Sequence, residues 1–392
     1  MTAPPLVIHV ATTDMTLELL LGPQLSALMQ AGYRVAGASA PGPFSSALDA
    51  RGIEHIPLRH ATRSMALSED ARALRELIDL FRHRRPAIVH THNPKPGIYG
   101  RIAARVARTA GIVNTVHGLY ALPEDPLAKR AAVYGLERTA AAFSHVELVQ
   151  NEEDLTVLRR LRVPDDRLVL LGNGIDLQRF DPSRFTPEDT AGARRELGTG
   201  RAGEVVVGTV GRLVVEKGYR ELFAAARTLS DSVRVAVIGF DEPDKSDALT
   251  VEEINEAEAV GVRFLGGRDD VDRLYTGMDI FVLASHREGF PRSAMEAAAM
   301  GLPIVATDIR GCRQVVEHDV TGLLVPPGDH VALGSAIARI AGDHGLRARM
   351  SIAARDRACR LFDQQRCIDT TLRVYERLLL RRGLDAPVAV SR

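Results

Sequence analysis

The sequence predicts an α/β protein made of two doubly wound, Rossmann-like domains. Short β-branched runs of about four to six residues alternate with helical patterns of about 10–18 residues, which is typical of a parallel sheet covered on both faces. The alternation stops over residues 180–203, where prolines, glycines and charges accumulate, and then starts again. The length of 392 residues suits two domains of roughly 100–200 residues each.

In the first half of the chain, apolar runs predict five strands. They cover residues 6–11, 34–39, 87–91, 112–116 and 146–149. Leucines recur at helical spacing over residues 14–32, and a second helix is predicted at residues 68–83. Further helices are expected after Pro96 and near Glu152.

In the second half, the predicted strands cover residues 205–210, 233–238, 262–265, 280–284 and 303–306. A helix is predicted at 219–229, and a last helix runs from 364 to about 382. The first domain is expected to span residues 1–185 and the second 186–363, with segment 364–392 able to pack back across the first. Doubly wound sheets bind ligands beyond the carboxyl ends of their strands, so two facing domains predict a central cleft as the ligand site.

Composition and charge exclude several classes of protein. The 50 basic and 50 acidic residues give a formal net charge of +0, so the basic footprint of nucleic-acid-binding proteins is missing and no nucleic-acid partner is expected. Three scattered cysteines suit neither a disulfide framework nor a paired-cysteine zinc site. The N-terminus does not resemble a signal peptide, and no apolar stretch reaches the roughly 18–20 residues of a membrane span. A soluble, cytoplasmic protein is therefore expected.

An acidic cluster precedes the helical pattern that starts near Leu274. Asp269, Asp270 and Asp272 could together suggest a metal site. Carboxylates in this position also commonly cap the N-terminus of a helix. We expect helix capping here, and no metal site in the chain.

The loop after the predicted strand 205–210 carries groups suited to phosphates. Gly211, Arg212 and Lys217 precede a predicted helix, and backbone amides at a helix N-terminus favour anions as the two cations do. The glycine spacing matches neither GxGxxG nor the Walker pattern, which argues against a nicotinamide or P-loop site. The alternative interpretation is a pair of solvated surface cations.

A second candidate group follows the strand predicted at 280–284. Glu288 lies in the loop after that strand, Pro291 suits the first turn of a helix, and Glu296 lies on this helix more than one turn in. Two carboxylates at a cleft could accept hydrogen bonds from vicinal hydroxyls, such as those of a ribose and a sugar ring. The alternative is that both are ordinary surface carboxylates.

Together these motifs resemble the retaining glycosyltransferases of family 4, which have the GT-B fold. The resemblance rests on Gly-Arg-Leu-x-x-Glu-Lys-Gly at 211–218 and Glu-x7-Glu at 288–296. Shorter similar motifs lie at residues 90–97, 115–118, 173–176, 279–285, 301–306 and 322–329. The resemblance implies a GT-B protein, with two Rossmann-like domains that face a central cleft.

The resemblance also implies roles for residues on both domains. Arg212 and Lys217, with Gly211 beside them, would bind the diphosphate of a nucleotide diphosphate sugar and stabilise its developing charge. Arg268 is assigned to the same donor-binding set. His117, at the end of a predicted strand, looks like the first-domain histidine near the reacting centre; a purely structural histidine is the alternative.

The loop and helix after residue 284 would hold the sugar and the nucleoside. By resemblance, Glu288 is a catalytic residue that contacts hydroxyls of the transferred sugar, and Glu296 holds the ribose. Gly289, Phe290 and Pro291 would offer backbone donors to the sugar and the phosphates.

Segments 90–97 and 308–313 look like a subgroup that extends lipid-linked or surface polysaccharide sugars. Asp14, His92 and Lys95 are the candidate acceptor-side residues. Asp14 lies where many relatives carry paired glycines, and it could instead cap a helix.

Basic residues follow Lys95 along the next predicted helix. Lys95, Arg101, Arg105 and Arg108 could meet an anionic lipid diphosphate or the inner membrane face, which leaves peripheral membrane contact open. A solvated helix face is the interpretation we favour for them.

The expected function is transfer of a sugar, preferably from a UDP-sugar, to a hydroxyl of a glycan, lipid-linked or small-molecule acceptor, with retention of anomeric configuration. The nucleotide diphosphate sugar is a co-substrate, and no other cofactor is expected. A nucleotide-sugar 2-epimerase of the same fold and a catalytically silent nucleotide-sugar-binding subunit are the alternatives.

Overall fold

The computed structural model describes residues 4–61, 67–92, 94–121, 125–199, 203–242 and 245–387. The chain divides into two compact units. The N-terminal unit comprises residues 1–172 and 365–392, and the C-terminal unit comprises residues 173–364. This division falls before the expected one at 185/186, because Ile175 and Phe180 are buried in the hydrophobic core of the C-terminal unit.

The N-terminal unit contains a seven-stranded parallel sheet. Its strands are β1 (Leu6–Thr13), β2 (Arg34–Ala40), β3 (Glu54–Pro57), β4 (Ile88–His92), β5 (Gly111–Val116), β6 (Val146–Val149) and β7 (Leu168–Leu170). Their order across the sheet is β3-β2-β1-β4-β5-β6-β7, as in a doubly wound fold. The five strands predicted in this half are confirmed. The sequence analysis missed the two edge strands, which are only four and three residues long.

Helices connect these strands within the described residues. They are α1 (Gly22–Gln30), α2 (Ser45–Ala50), α3 (Leu67–Arg84), α4 (Pro94–Val106), α5 (Leu127–Ala141) and α6 (Glu152–Arg160). The helix predicted at 68–83 is confirmed. The pattern over 14–32 forms two segments, a π-helical stretch Thr16–Leu20 and then α1, because Pro23 in the first turn of α1 has no N–H to continue the preceding helix.

Strand β1 shows how the sheet is buried on both faces. Val7 and Ala11 pack in one hydrophobic cluster, whereas Ile8 and Val10 pack in another. Successive side chains of a strand point to opposite faces, so both clusters draw on the same short segment. His9 therefore shares the face of Val7 and Ala11, and it is fully buried there.

The C-terminal unit contains a six-stranded parallel sheet with the order β10-β9-β8-β11-β12-β13. Its strands are β8 (Val205–Val210), β9 (Val233–Ile238), β10 (Arg263–Phe264), β11 (Ile280–Leu283), β12 (Ile304–Thr307) and β13 (Gly322–Val325). The five strands predicted in this half are confirmed, and β13 adds a sixth at one edge.

The helices of this half cover both faces of that sheet. They are α7 (Pro187–Glu196), α8 (Tyr219–Ala226), α9 (Val251–Ala259), α10 (Val271–Thr276), α11 (Arg292–Ala299), α12 (Arg310–Val315), α13 (His330–Gly342) and α14 (His344–Leu361). Helix α8 is shorter than the predicted 219–229. Residues 227–229 form a turn after α8, in which the Thr228 amide and hydroxyl both donate to the carbonyl of Ala225.

The last helix, α15 (Gln364–Leu380), belongs to the N-terminal unit from residue 365 onward. Tyr375, Leu378 and Leu379 on this helix are buried in the cluster that contains Val7 and Val113. The face of the seven-stranded sheet that carries Val7 is therefore covered by the end of the chain. Within the described part of the chain, no helix is both long enough and apolar enough to cross a membrane.

Candidate active site

The loop after β8 is held in place by two glycine contacts. Gly218 has a φ of 72°, and a Cβ there would lie 1.9 Å from the carbonyl oxygen of Ala284. The hydroxyl of Tyr219 donates to the carbonyl of Gly211 at 2.9 Å, and a Cβ on Gly239 would lie 1.7 Å from the same oxygen. Close backbone packing therefore fixes both ends of the segment that carries the predicted phosphate-binding cations.

Each of those cations pairs with a carboxylate. Nη1 of Arg212 lies 2.8 Å from Oε2 of Glu242, which Lys245 also approaches at 3.2 Å. Burial alone would raise the pKa of Glu242, but the charges of Arg212 and Lys245 and their hydrogen bonds hold it below its ordinary value. Arg212 remains 37% exposed. It is thus oriented by a neighbour while part of its guanidinium still meets solvent.

Lys217 forms the second pair, with the predicted sugar-contacting residue Glu288. Its Nζ lies 2.6 Å from Oε1 of Glu288, and the hydroxyl of Ser285 donates to the same oxygen at 2.8 Å. Thr307 in turn donates to the carbonyl of Ser285 at 2.5 Å. The structure therefore joins two residues that were predicted for different parts of the ligand, at the carboxyl ends of β8, β11 and β12.

Backbone packing also holds Glu288 from behind. A Cβ on Gly311, in α12, would lie 2.5 Å from the carbonyl oxygen of Glu288. The loop then passes through Gly289 and Phe290, whose carbonyl accepts a hydrogen bond from Nδ2 of Asn173 at 3.1 Å. Pro291 is the N-cap residue of α11, one position before the first turn predicted for it. The predicted backbone donors thus precede the N-terminus of a helix.

Glu296 lies on α11 and has different partners from Glu288. The hydroxyl of the buried Tyr275 donates to Oε2 of Glu296 at 3.2 Å and also contacts the carbonyl of Ser293 at 3.2 Å. Desolvation raises the pKa of Glu296, and nearby Arg292 opposes that shift. Tyr275 orients this carboxylate, a role that the sequence analysis missed because the residue reads as an ordinary helical core position.

Arg268 lies in an ion-pair network. Its guanidinium lies 2.8 Å from Asp270 and 3.0 Å from Glu196, and Arg273 bonds to both of these acids at 2.8 Å. Hydrogen bonds from Arg268 and Arg273 lower the pKa of Asp270. The expected capping role of Asp270 is wrong: it precedes α10, but its carboxylate binds the two arginines and makes no capping hydrogen bond.

In the N-terminal unit, His117 follows directly after β5. Its Nε2 lies 3.0 Å from Nδ1 of His92. Burial lowers the pKa of His117 to about 4, although the side chain of Gln150 opposes the shift. The ring is therefore neutral at pH 7. His92 is fully buried, so any effect it has on an acceptor passes through His117.

Lys95 and Asp14 lie elsewhere in this unit. Nζ of Lys95 lies 2.6 Å from Oδ1 of Asp70, and both line a solvent-open pocket with Thr12 and Tyr99. Burial and Asp70 raise the pKa of Tyr99 to about 12. This pocket brings together a predicted acceptor-side cation and groups that the sequence analysis did not connect.

The carboxylate of Asp14 fastens a neighbouring loop. It accepts hydrogen bonds from the amides of Met15 and Phe44, both at 2.8 Å, and from the hydroxyl of Ser45 at 3.3 Å. The helix-capping alternative is wrong, because the π-helical segment Thr16–Leu20 begins without a side-chain cap. An acceptor-side role for Asp14 stays a prediction.

Arg101 is neither a lipid contact nor part of a solvated face. It is 1% exposed, and its guanidinium lies 2.9 Å from Glu147 and 2.8 Å from Glu137. Its Nε also donates to the carbonyl of Gly97 at 2.5 Å. Both interpretations of Arg101 are therefore wrong, whereas Arg105 is exposed as expected.

Two family models match this chain, one for each half. Residues 24–179 match the glycosyltransferase family 4 model, and residues 198–357 match the model of glycosyl transferases group 1. Together these matches cover most of the β-strands and the loops described above.

Relatives of known name match over most of their length. The capsular polysaccharide biosynthesis glycosyltransferase CapM of Staphylococcus aureus is 27% identical over 372 residues, 92% of this chain and 93% of CapM. The UDP-Gal:alpha-D-GlcNAc-diphosphoundecaprenol alpha-1,3-galactosyltransferase of Escherichia coli is 27% identical over 343 residues, 85% of this chain and 86% of that enzyme.

The fold is also found in solved structures. HepE of Anabaena, crystallised in complex with UDP, superposes with a TM-score of 0.79 over 95% of this chain and 100% of its own, at 21% sequence identity. That identity supports the fold alone, and the two family models add the family. The chain belongs to glycosyltransferase family 4 and is a GT-B glycosyltransferase with two Rossmann-like domains.

Proposed function

We propose that this chain transfers a sugar from a UDP-sugar to a hydroxyl of a lipid-linked or glycan acceptor, with retention of anomeric configuration. The observation that carries the proposal is the Lys217–Glu288 pair, held with Ser285 at the carboxyl ends of β8 and β11. The name of the E. coli relative, with its UDP-Gal donor and diphosphoundecaprenol-linked acceptor, supports it. The UDP bound to HepE supports the choice of nucleotide.

The two cations suit the charge that this reaction develops. As the bond between the anomeric carbon and the diphosphate breaks, negative charge grows on the leaving group. Lys217 and Arg212 are oriented by carboxylates before a donor arrives, and such preorganised charges stabilise a transition state more than the ground state. When a diphosphate takes the place of Glu288 beside Lys217, the Glu288 carboxylate becomes available to accept hydrogen bonds from hydroxyls of the transferred sugar.

Retention is proposed to follow a front-face route. The acceptor oxygen bonds to the anomeric carbon on the side from which the diphosphate leaves, and the acceptor proton passes to the leaving phosphate oxygen. This balance requires no protein base. The lowered pKa of His117 agrees, because a neutral imidazole with a pKa of about 4 suits hydrogen bonding to the sugar better than proton transfer at pH 7.

The ribose of the nucleotide is assigned to Glu296. Tyr275 fixes one of its carboxylate oxygens from inside the core, so that the side chain has one preferred direction. Vicinal hydroxyls can donate to a carboxylate held in this way. The amides of the loop over residues 289–291, just before α11, are assigned to the phosphates or the sugar.

The acceptor is assigned to the N-terminal unit. Lys95 lines a pocket with Thr12 and Tyr99 and pairs there with Asp70, and we assign this cation to an acceptor diphosphate. Arg105 and Arg108, at the end of α4 and just beyond it, are exposed. Exposed basic side chains favour an anionic membrane surface, so we extend the proposal to peripheral membrane contact.

The proposal is tested with purified protein, UDP-sugars and undecaprenyl-diphosphate-linked sugar acceptors. The expected result is acceptor-dependent product whose new linkage, measured by NMR, has the anomeric configuration of the donor. An inverted linkage would contradict the proposed mechanism. An altered nucleotide sugar formed without any acceptor would instead identify a 2-epimerase. Donor binding with no product from any acceptor would identify a silent subunit.

A further inference from the structure

A group of histidines lies on one face of the N-terminal sheet. His9 on β1 pairs in register with His90 on β4, and His92 on β4 pairs with Thr115 on β5. Side chains at alternate positions of a strand share a face, so all four point to the side of the sheet that α15 covers. Each of the three rings is fully buried.

These rings form a continuous series of hydrogen bonds that reaches His117. The hydroxyl of Tyr375 on α15 lies 3.2 Å from Nε2 of His9. Nδ1 of His9 lies 2.9 Å from Nε2 of His92. Nδ1 of His92 then lies 3.0 Å from Nε2 of His117. Every one of these distances is that of a hydrogen bond.

The series also continues beyond Tyr375. On the far side, the Tyr375 hydroxyl lies 2.6 Å from Nδ1 of His90, whose Nε2 lies 2.7 Å from the hydroxyl of Thr115. We name the whole series the histidine chain, which consists of Thr115, His90, Tyr375, His9, His92 and His117.

All four rings of the histidine chain are neutral at pH 7. Burial lowers the pKa of His9 to about 3 and that of His117 to about 4, and it lowers the pKa values of His90 and His92 well below their ordinary value. A neutral imidazole has one N–H donor and one acceptor nitrogen. The tautomer of each ring therefore dictates the tautomer of the next.

This constraint leaves the histidine chain only two complete arrangements. When the hydrogens point toward His117, all four rings carry their hydrogen on Nδ1; when they point toward Thr115, all four carry it on Nε2. Tyr375 links the two sections because its hydroxyl donates to one ring and accepts from the other. The Thr115 hydroxyl can donate or accept, so both directions satisfy every hydrogen bond of the series, and the four rings change tautomer together.

We infer that Tyr375 is a positioning residue that, through His9 and His92, couples the tautomer of His117 to that of His90. His92 occupies Nε2 of His117, so Nδ1 is the nitrogen assigned to a sugar hydroxyl, and the tautomer shared along the histidine chain decides whether Nδ1 donates or accepts. The catalytic meaning of this inference rests on the proposed function, in which His117 contacts the transferred sugar. The tautomer of His117 then depends on the hydroxyl of Tyr375, which lies on the C-terminal helix α15.

A metal ion is the competing use of these histidines, because ring nitrogens of His9, His90 and His92 lie within 4.8 Å of one another. The contacts fit hydrogen bonds better. Two nitrogens bound to one zinc ion at about 2.0–2.1 Å lie about 3.3 Å apart in a tetrahedral site, whereas Nδ1 of His9 and Nε2 of His92 are 2.9 Å apart. The Tyr375 hydroxyl, moreover, bonds to both His9 and His90.

The test is NMR of the full-length protein labelled with ¹⁵N in histidine, in the wild type, Tyr375→Phe and Tyr33→Phe. Tyr33 is the matched control, since its ring packs edge-on against Tyr375 with centroids 5.8 Å apart but its hydroxyl is outside the histidine chain. In the wild type, the four rings are expected to show the same tautomer populations. Tyr375→Phe should make the tautomer populations of His90 differ from those of the other three rings and change those of His117, while Tyr33→Phe matches the wild type.

In transferase assays, Tyr375→Phe should lower kcat at least about 10-fold with little change in the KM for the donor, because a wrong histidine tautomer costs turnover and not nucleotide binding. Different tautomer populations among the four rings of the wild type would overturn the inference without any variant. So would an unchanged His117 tautomer in Tyr375→Phe, or one transition-metal ion per purified chain. If the tautomers change as expected but His117→Ala keeps full activity, the role proposed for His117 fails and the histidine chain stands.

Discussion

The two units of this chain prepare their polar side chains in opposite ways. In the N-terminal unit, His9, His90 and His92 are fully buried and neutral, and they bond to uncharged partners. In the C-terminal unit, Arg212 and Lys217 are partly exposed, and each pairs with a carboxylate. A neutral ring can be buried once its nitrogens are hydrogen-bonded. A charged side chain also needs a counter-ion or contact with solvent.

The difference matches the work proposed for each unit. A cation that is paired but partly exposed can exchange its carboxylate for a phosphate when a donor binds. A buried neutral series has no such exchange and can only hold an orientation. The proposal therefore assigns exchange of ionic partners to the loop that carries Arg212 and Lys217, which we name the donor loop, and it assigns orientation to the histidine chain.

The strongest challenge to this comparison is Arg101, a charge that the N-terminal unit does bury. It is 1% exposed between Glu147 and Glu137. Arg101→Met would leave the buried Glu147 without its cation and should lower the free energy of unfolding by about 3–5 kcal/mol. Chemical denaturation measures this change.

The control for Arg101 is Arg84→Met, which breaks the more exposed pair with Glu54 on the same unit. An exposed pair contributes about 0–1 kcal/mol, so this variant should stay near the wild type. An equal loss of unfolding free energy in the two variants would show that burial does not determine how much an ion pair contributes. That result would contradict the comparison between the units.

The next largest effect is expected at the donor loop. Lys217→Ala should lower kcat by about 10²–10³, because it removes a preorganised charge that acts mainly in the transition state. Binding of UDP, measured by calorimetry, should change much less. Lys129→Ala is the control, since Lys129 makes a pair of the same 2.6 Å length with Asp125 on the other unit. Normal turnover in Lys217→Ala would remove Lys217 from the mechanism.

Gly311 tests whether the position of Glu288 matters as much as its charge. In Gly311→Ala the new Cβ would lie 2.5 Å from the carbonyl oxygen of Glu288 and push that loop aside. A displacement of about 1 Å can cost up to about 10²-fold in rate, so kcat should fall toward that limit. Gly342→Ala, where a Cβ meets nothing within 4 Å, should keep kcat and stability. Unchanged activity in Gly311→Ala would mean that Glu288 is not held at a critical position.

The smallest effect concerns pH. The pKa values of about 3 for His9 and about 4 for His117 lie below the ordinary value of 6.5. Between those values and 6.5 the unfolded chain binds more protons than the folded chain, so the free energy of unfolding falls as pH drops below 6.5. The loss is up to about 1.4 kcal/mol per pH unit for each ring, and it is absent above pH 6.5.

His117→Gln should remove one ring from this dependence and so flatten the slope of the free energy of unfolding between pH 6.5 and 5. His344→Gln, at an exposed position on α14, should keep the wild-type slope. Denaturation curves at several pH values measure both. A slope that His117→Gln leaves unchanged would contradict the neutral state assigned to His117.

The sequence was sufficient for most of the strands, because buried runs such as β11 are apolar throughout. The roles of Arg212, Lys217 and Glu288 rest on the resemblance to the family and stay predictions. Their ionic partners were not predictable in the same way. Lys217 and Glu288 are 71 positions apart, and their contact depends on the order of β8 and β11 in the sheet.

The histidine chain was even less accessible to sequence analysis. His90 and Tyr375 are 285 positions apart, and they meet only because α15 packs on the first sheet. The interpretation of Arg101 was wrong for a related reason. Basic residues along a helix usually indicate a solvated face, but the two acids that pair with the buried Arg101 lie on other elements, β6 and α5. One signal was available in the sequence. His90 and His92 occupy alternate positions of a strand whose other side chains are apolar or small, which predicts that both rings lie on the same face of the sheet.

The central claim, that this glycosyltransferase takes its sugar from a UDP donor, is tested most directly by a donor panel. Purified protein is incubated with UDP-, GDP-, ADP- and dTDP-sugars without an acceptor, and released nucleoside diphosphate is measured. Slow release of UDP from one UDP-sugar, abolished in Lys217→Ala and retained in Lys129→Ala, is the predicted result. Release of GDP, ADP or dTDP instead, or binding of none of the four nucleotides by calorimetry, would contradict the claim.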